Sequence, residues 1–494
     1  MNDNITKSII LCKRLFLLFD EIWFIGPRSD HCDTIIDLSI IKEQDIKVTH
    51  IHNQIGRFFT NSHTYYPRKN SSNSFRGIFE EINPSIYHEI DRVIVSDKRV
   101  VLIMPSPNKA LYDMIRGRNA ESKFVVTAPV ANPKKYLFFE DKSRLCEIAP
   151  EDCLIRSINT LVNADVGDIK RILNLKDSDK LILQQCISAG GSGTFKIGDQ
   201  QNFNQVLKSI DASEKTVVKV SEEIKDAYPA NGSICIVPID KSHCDVYVDP
   251  LSHKVVDTNI NSERQYSSLG NDWGVKWSGD VNHEYIRIAK AVGKNLYKKW
   301  GCTGIIGLDF LVKNYNNNYH KTCLYLTEIN PRWQGTTPYQ TYNALLSGRI
   351  PLEIAHYIIK LSDNDRDLAT LRSILGSPGV YNLNSTNRSG IAYIKLYAPG
   401  VTKTIKNNIS GCWSVCGGTL RKVKEASLID AIMDNNVEGK YFIKAPSRGT
   451  VVDKEFAAIC YIYGVGYNIF NRYRPEVTEF YNLIMGDVEH KLYR

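Results

Sequence analysis

Two short stretches, Gly307-Leu-Asp309-Phe-Leu and Thr327-Glu-Ile-Asn-Pro-Arg332, carry two carboxylates, an amide and a guanidinium in a pattern that could do chemistry. Apolar runs flank both, and the polar Asn314 to Asn318 run between them reads as a loop tip. Antiparallel strands joined by that tip would bring Asp309, Glu328 and Asn330 to one end of a sheet. Residues two apart on a strand share a face, so Glu328 and Asn330 point the same way. Hard oxygen donors of this kind, completed by phosphates and water, are what magnesium takes. Arg332 adds a fixed cation beside them, suited to a phosphate or an acyl-phosphate oxyanion. The plainer reading makes these exposed polar residues at strand ends. The Asp ahead of a Glu-x-Asn-x-Arg run favours a site.

A second candidate is Ser188-Ala-Gly-Gly-Ser-Gly-Thr194. Gly190, Gly191 and Gly193 let the backbone approach an anion, and Ser192 and Thr194 add hydroxyl donors. The segment lies between strand-like runs at 179–184 and 195–197 and lacks a Gly-Lys-Ser/Thr ending, so it reads as a hairpin rather than a strand-to-helix P-loop. Alone it fits a ligand-free hairpin equally well. Its place upstream of the acidic pair raises its weight. Lys142, in Phe138-Phe-Glu-Asp-Lys142, is the third candidate, although a lone lysine is usually solvated.

The elements that must position these residues divide the 494-residue chain into three regions. Residues 1–135 alternate short apolar runs with helix-like stretches, an α/β pattern. Within it Arg99 to Pro105 reads as a strand, Ser106 to Arg116 as a helix and Lys123 to Thr127 as a strand, a βαβ unit. Residues 8–19 read as an amphipathic helix, and Asn70 to Phe75 as a surface loop. Residues 136–375 carry the candidate site, a long helix from Val281 to Trp300, strands at 305–312 and 324–329, a mostly helical 344–361, and a charged connector from Asp363 to Arg372. Residues 376–494 read as a small β-rich domain with strands at 391–397, 419–423, 441–445 and 456–463.

Taken together, these residues and their order resemble the ATP-grasp superfamily. By motif the resemblance covers about 136 to 361, and by architecture alone the first ~135 residues. Leu183 to Phe195 and Gly270-Asn-Asp-Trp273 look most like the pheganomycin-type peptide ligases among natural-product amide ligases. The resemblance implies ATP and Mg2+ bound between two α+β subdomains. Lys142 would touch the phosphates, and the hairpin 190–194 would close over them beside Gln184. Val220 to Ile224, including Ser221, would form the adenine hinge, and Glu222 or Glu223 would take the ribose hydroxyls. Asp309, Glu328 and Asn330 would hold the metal, and Arg332 would steady an acyl-phosphate. It further implies a carboxylate–amine ligase acting on amino acids or peptides as small-molecule substrates. Many relatives have lysine where Gln184 stands, so compensating charge must come from Lys142, Lys219 or an arginine. Many also have an arginine just before the first metal-ligating Asp, and Arg264 or Lys276 is the candidate substitute.

Two other readings compete: ligation of an amino acid to a carrier-protein thiol, and an inactive nucleotide-binding scaffold. Composition narrows the field further. A net charge of +8 without any block of five basic residues gives nucleic-acid binding little support. Lys13 and Arg14 interrupt the N-terminal apolar run, against a signal h-region or membrane span. Twelve scattered cysteines with no CxxC point to the reducing cytoplasm rather than to disulfides or zinc. Oligomeric state is open, with a homodimer allowed.

Overall fold

The structure, a computed structural model, describes residues 2–26, 29–49, 84–188, 191, 193–256, 266, 268–275, 277–313, 323–377, 391–396, 402–416, 419–424, 428–433, 440–445, 448–449, 451–452, 460–465 and 479–493. The loop expected at 70–75, the tip at 314–318, and Gly190, Ser192, Arg264 and Lys276 lie outside these residues.

The N-terminal region is built on a parallel sheet ordered β2-β1-β3-β4, formed by β1 (Glu21–Ile25), β2 (Ile46–Thr49), β3 (Val100–Ile103) and β4 (Phe124–Val126). Its helices are α1 (Asp3–Phe16), α2 (Asp33–Asp37), α3 (Pro84–Val95), α4 (Lys109–Gly117) and α5 (Pro133–Glu140). Parallel strands covered on both faces read as continuous apolar runs, as Val100-Val-Leu-Ile103 does: all four residues are buried.

A small antiparallel sheet follows, ordered β5-β8-β6-β7, from β5 (Ser157–Leu161), β6 (Leu181–Gln185), β7 (Thr194–Ile197) and β8 (Val217–Glu222). One face packs on α6 (Val166–Ile172) and α7 (Gln200–Ser209), so Leu181, Leu183, Val218 and Val220 are core. By the two-residue period of a strand, Ile182, Gln184, Lys219 and Ser221 take the other face. Gln185 N–H donates to Gly193 O at 2.8 Å, so the glycine-rich segment does close a hairpin.

The large sheet contains β9 (Ala227–Pro238), β10 (Cys244–Val248), β11 (Ser252–Val256), β12 (Ser268–Asp272), β13 (Gly304–Lys313) and β14 (Cys323–Asn330). Its order runs β14-β13-β9-β11-β12, with β10 also on β9. Against it lies α8 (Gly279–Trp300). Ser278 caps this helix by accepting from Val281 N–H, Gly301 ends it at φ 68°, and Tyr285, Ile288, Val292 and Leu296 form its buried stripe. Pro351 splits the helix expected at 344–361 into α9 (Thr337–Leu346) and α10 (Leu352–Leu361). The expected connector at 363–372 is instead helix α11 (Asp365–Leu375). Asn364 caps it, and its charged residues hide an apolar set of Leu371, Ile374 and Leu375.

The strands beyond residue 376 are β15 (Ile391–Leu396), β16 (Lys403–Thr404), β17 (Gly411–Cys416), β18 (Thr419–Lys424), β19 (Lys440–Lys444), β20 (Val451–Val452) and β21 (Cys460–Val465), with helices α12 (Leu428–Met433) and α13 (Glu479–Tyr493). They continue the large sheet, since β15 pairs with β12 and the order runs on β15-β21-β19-β17-β18. At that joint Gly270 faces Ile394, and a Cβ there would lie 2.0 Å from Tyr393 O. Only glycine permits this approach of two backbones.

The three regions also meet in a buried polar knot. Glu353 on α10 accepts from Thr34 Oγ1 (2.5 Å) and Thr341 Oγ1 (2.6 Å), while Lys444 Nζ of β19 pairs with Asp33 Oδ2 at 2.6 Å. Burial raises the Glu353 pKa to about 7, the two threonine hydrogen bonds and Lys444 oppose the rise, and Asp33 adds to it. A carboxyl whose folded pKa is raised contributes its stability below the unfolded pKa near 4.5 and loses it as pH rises through about 7. Glu353→Gln keeps the shape without the charge. Its stability relative to wild type should therefore improve by about 3 kcal/mol between pH 4.5 and pH 8. Denaturant titrations at the two pH values measure this, and an unchanged difference would refute it.

Candidate active site

A cavity of about 470 Å3 opens between the small sheet and the β9, β11, β13 and β14 strands of the large one. Lys142, Gln184, Gly191, Thr194, Ser221, Glu222, Glu223, Ile224, Asp309 and Glu328 all line it. Residues drawn from five separate segments of sequence therefore share one wall. Gly193 holds the hairpin closed without lining the cavity. Asn330 and Arg332 are not among the lining residues, and Asn330 is 3% exposed.

The acidic pair is set by register: Asp309 faces Glu328 across β13 and β14, and Gly307 faces Asn330, with a bulge following Asp309. Asp309 accepts from Asn231 Nδ2, from Gln334 Nε2 at 3.2 Å and from Lys254 Nζ at 2.8 Å. Burial pushes its carboxyl up, but the Lys254 charge and the Lys254 and Asn231 hydrogen bonds outweigh this and hold its pKa below the usual value. Gly307 is required here, because a Cβ would sit 2.0 Å from Gln334 Cδ and expel the amide that donates to Asp309. Glu328 differs. Its Oε1 is buried and accepts no hydrogen bond from any described residue, although Lys142 Nζ lies 3.3 Å away. That distance allows charge attraction, and the poor alignment leaves the oxygen's lone pairs open.

Lys142 begins a 3-10 turn, Lys142–Glu147, which Asp141 caps. Its backbone N–H donates to Cys186 O at 2.9 Å and its Nζ to Ser188 O at 2.9 Å, which fixes the ammonium at the base of the hairpin. Arg332 donates from Nε to Glu140 Oε1 at 3.0 Å, and Tyr136 Oη donates to the same oxygen at 2.7 Å. Burial disfavours the guanidinium charge, yet Tyr136, Glu140 and Glu328 together raise its pKa above the ordinary value. On the 221–224 segment, Arg156 grips Glu222 through two nitrogens at 2.9 and 2.7 Å, and Lys196 pairs with Glu223.

Several residues at the site carried no sequence signal. Lys254 lines the cavity from β11 beside His253, whose Nε2 is buried without a hydrogen-bond partner among the described residues and whose pKa burial lowers to about 4. Asn231, Gln334, Glu140 and Tyr136 act through other residues. Only the β9–β13 register, the turn after β14 and the packing of α5 on β14 reveal them. A divalent cation is compatible with this donor set at the open Glu328 oxygen, whereas Lys254 now holds Asp309. Among the described residues no three His, Cys, Asp or Glu side chains cluster as a metal centre. No described helix is long and apolar enough to cross a membrane.

The sequence matches no protein-family model and no curated protein. Solved structures do match. The biotin carboxylase domain of Hydrogenobacter thermophilus 2-oxoglutarate carboxylase, solved with MgADP and bicarbonate, is similar over 90% of this chain and 86% of its own, with a TM-score of 0.58 and 12% identity. The N5-carboxyaminoimidazole synthase of Aspergillus clavatus, solved with ADP and its ribonucleotide, covers 95% of this chain and 98% of its own, with a TM-score of 0.52 and 10% identity. This chain has the ATP-grasp fold. Campylobacter jejuni biotin carboxylase is a third such neighbour, with a TM-score of 0.51 and 11% identity over 90% of this chain and 87% of that one. These likenesses cover 90 to 95% of this chain, whereas the sequence resemblance covered 136–361 by motif and the first ~135 residues by architecture.

Proposed function

We propose that this chain is an ATP- and magnesium-dependent, ADP-forming ligase that joins a carboxylate to an amine through an acyl-phosphate. The observation that carries the reading is the single cavity lined by Lys142, the hairpin residues, the 221–224 segment and the Asp309–Glu328 pair. In this reading residues 1–135 and 376–494 flank a nucleotide-binding region at 136–375.

Lys142 and the hairpin would hold the phosphate chain, and Ser221 to Ile224 would meet the base and ribose. Arg156 and Lys196 already neutralise Glu222 and Glu223, so either carboxylate could accept a ribose hydroxyl at little electrostatic cost. Asp309, Glu328 and Asn330 would hold magnesium, which when bound supplies charge stabilisation to phosphoryl transfer. Lys254 must release Asp309 for that, and it would turn towards phosphate or carboxylate oxygens instead. Arg332, immobilised by Glu140, would face the charge that builds on the acyl-phosphate. The hairpin, closed over the site, would exclude water from that intermediate. The ligands bound in those neighbours, MgADP with bicarbonate in one and ADP with 5-aminoimidazole ribonucleotide in another, support a nucleotide beside a small oxyanion or an amine.

The finer proposal is that the amine belongs to an amino acid or peptide, as in the pheganomycin-type peptide ligases. Incubation with ATP, Mg2+ and pooled amino acids and dipeptides, followed by mass spectrometry, tests it. A condensed product one water lighter than two components supports it. Turnover confined to other amines or carboxylates rules out the peptide class while keeping the ligase.

A further inference from the structure

We propose that the free edge of β4, with the groove beside it, docks an extended segment of a peptide substrate as an added strand; the inference rests on the peptide reading above. The parallel sheet ends at β4, so this strand has one neighbour, β3. Lys123 O accepts from Val100 N–H at 2.8 Å, and Thr127 N–H donates to Leu102 O at 2.9 Å, so both residues turn their backbone groups to β3. Backbone groups alternate sides along a strand, which points the N–H and C=O of Phe124 and Val126 away from the sheet. None of these four groups hydrogen-bonds to a described residue. Sheets ordinarily blunt such an edge with charge, proline, a bulge or a covering element. Phe124-Val-Val126 carries no charge and no proline, and its pairing with β3 is regular. Phe124 shares a core with Leu111 and Ile115 of α4, so that helix covers the face of the strand and leaves the edge open.

Between α4 and this strand lies a cavity of about 360 Å3. Leu111, Ile115, Phe124 and Val126 give it apolar walls, and Arg116 and Glu121 stand exposed at the end where β4 begins. One charge of each sign asks no net charge of the occupant. An apolar groove beside an unpaired strand edge is the combination that β-augmentation uses: main-chain bonds hold the guest, and the pocket takes its alternate side chains. A small apolar molecule would fill the cavity and ignore the edge, whereas a peptide uses both. The other end of the groove adjoins the candidate active site. Met104 and Pro107 line it there, and Pro105 between them accepts from Trp333 N–H at 2.8 Å, one residue from Arg332. Ala131, also in the lining, precedes α5, whose Glu140 holds Arg332. A segment laid along β4 runs towards the loop on which the acyl-phosphate would form, and this continuity makes the occupant the substrate and not an unrelated chain.

The test titrates fluorescein-labelled pentapeptides with glycine, leucine or phenylalanine at the centre against wild type and Ala131→Trp, with anisotropy as the readout. The leucine and phenylalanine peptides should bind roughly tenfold or more tighter than the glycine peptide, through the apolar walls. N-methylation at alternate residues of the leucine peptide should weaken binding roughly three- to tenfold per site, and methylation of the residues between should not. Ala131 is half-buried in the groove and outside the nucleotide cavity. A tryptophan there should abolish peptide binding and raise KM for the unlabelled pentapeptide, while its kcat and the affinity for ADP hold. Failure of every peptide to bind to protein that binds ADP, or binding indifferent to N-methylation, overturns the proposal and leaves the ligase reading standing. Binding with the alternation but without turnover of any peptide overturns the peptide reading, and the substrate assignment with it.

Discussion

Glu328→Ala should lower magnesium-dependent turnover by roughly a hundredfold or more, with the variant folded and less stable than wild type by about 1–3 kcal/mol, because Lys142 loses the carboxylate beside it. Both halves follow from one geometry. Glu328 Oε1 is buried and accepts no hydrogen bond from any described residue, so its removal orphans no hydrogen-bond donor and the loss of stability is confined to the Lys142 charge pair. Lys142 keeps its bond to Ser188 O, and the apolar cores on either side are untouched. What disappears is the open oxygen on which the metal assignment depends. Steady-state rates over a magnesium titration, read beside a melting curve, check this. Full activity in a folded variant would remove Glu328 from the site.

Arg332→Met should be damaging twice over. The guanidinium is buried against Glu140, and deleting it leaves that carboxylate inside the protein with Tyr136 as its recorded donor. Breaking a buried pair from one side costs about 3–5 kcal/mol, most of it the desolvation of the abandoned charge. Activity should be lost as well, because Lys142 and Lys254 are taken up by the phosphates and the acidic pair in this reading and the acyl-phosphate is left to Arg332. The double variant Arg332→Met/Glu140→Leu separates the two effects. It should regain most of the stability, since an apolar pair replaces an ion pair, while turnover stays at the level of the single variant. Recovery of both would mean that Arg332 serves the fold alone.

The elements nearest the chemistry were the most legible in the sequence. β13 and β14 appear within a residue or two of the expected 305–312 and 324–329, because long apolar runs broken by a polar tip leave little choice of strand or pairing. The side-chain period then put Glu328 and Asn330 on one face. Partners contributed from other elements were not legible. Lys254 reaches Asp309 only because β9 pairs with β11 on one side and β13 on the other, and Glu140 reaches Arg332 only through the packing of α5. Both are ordinary charged residues in their own segments, and a single sequence does not encode which distant charge they meet. Helix α13 and strand β17 were missed in the last third of the chain, where aromatic and β-branched residues favoured strands throughout. The union of those strands with the large sheet depends on Gly270, whose purpose emerges only when the Tyr393 carbonyl is seen against it.

The central claim is that the cavity between the two sheets couples ATP cleavage to activation of a carboxylate by phosphoryl transfer. The most direct measurement is the nucleotide product formed from ATP and Mg2+ in the presence of pooled carboxylates and amines, resolved by chromatography. The account predicts ADP and inorganic phosphate, formed only when both substrates are present and lost in Glu328→Ala. AMP and pyrophosphate would place the reaction at the α-phosphorus, through an adenylate, and would contradict it.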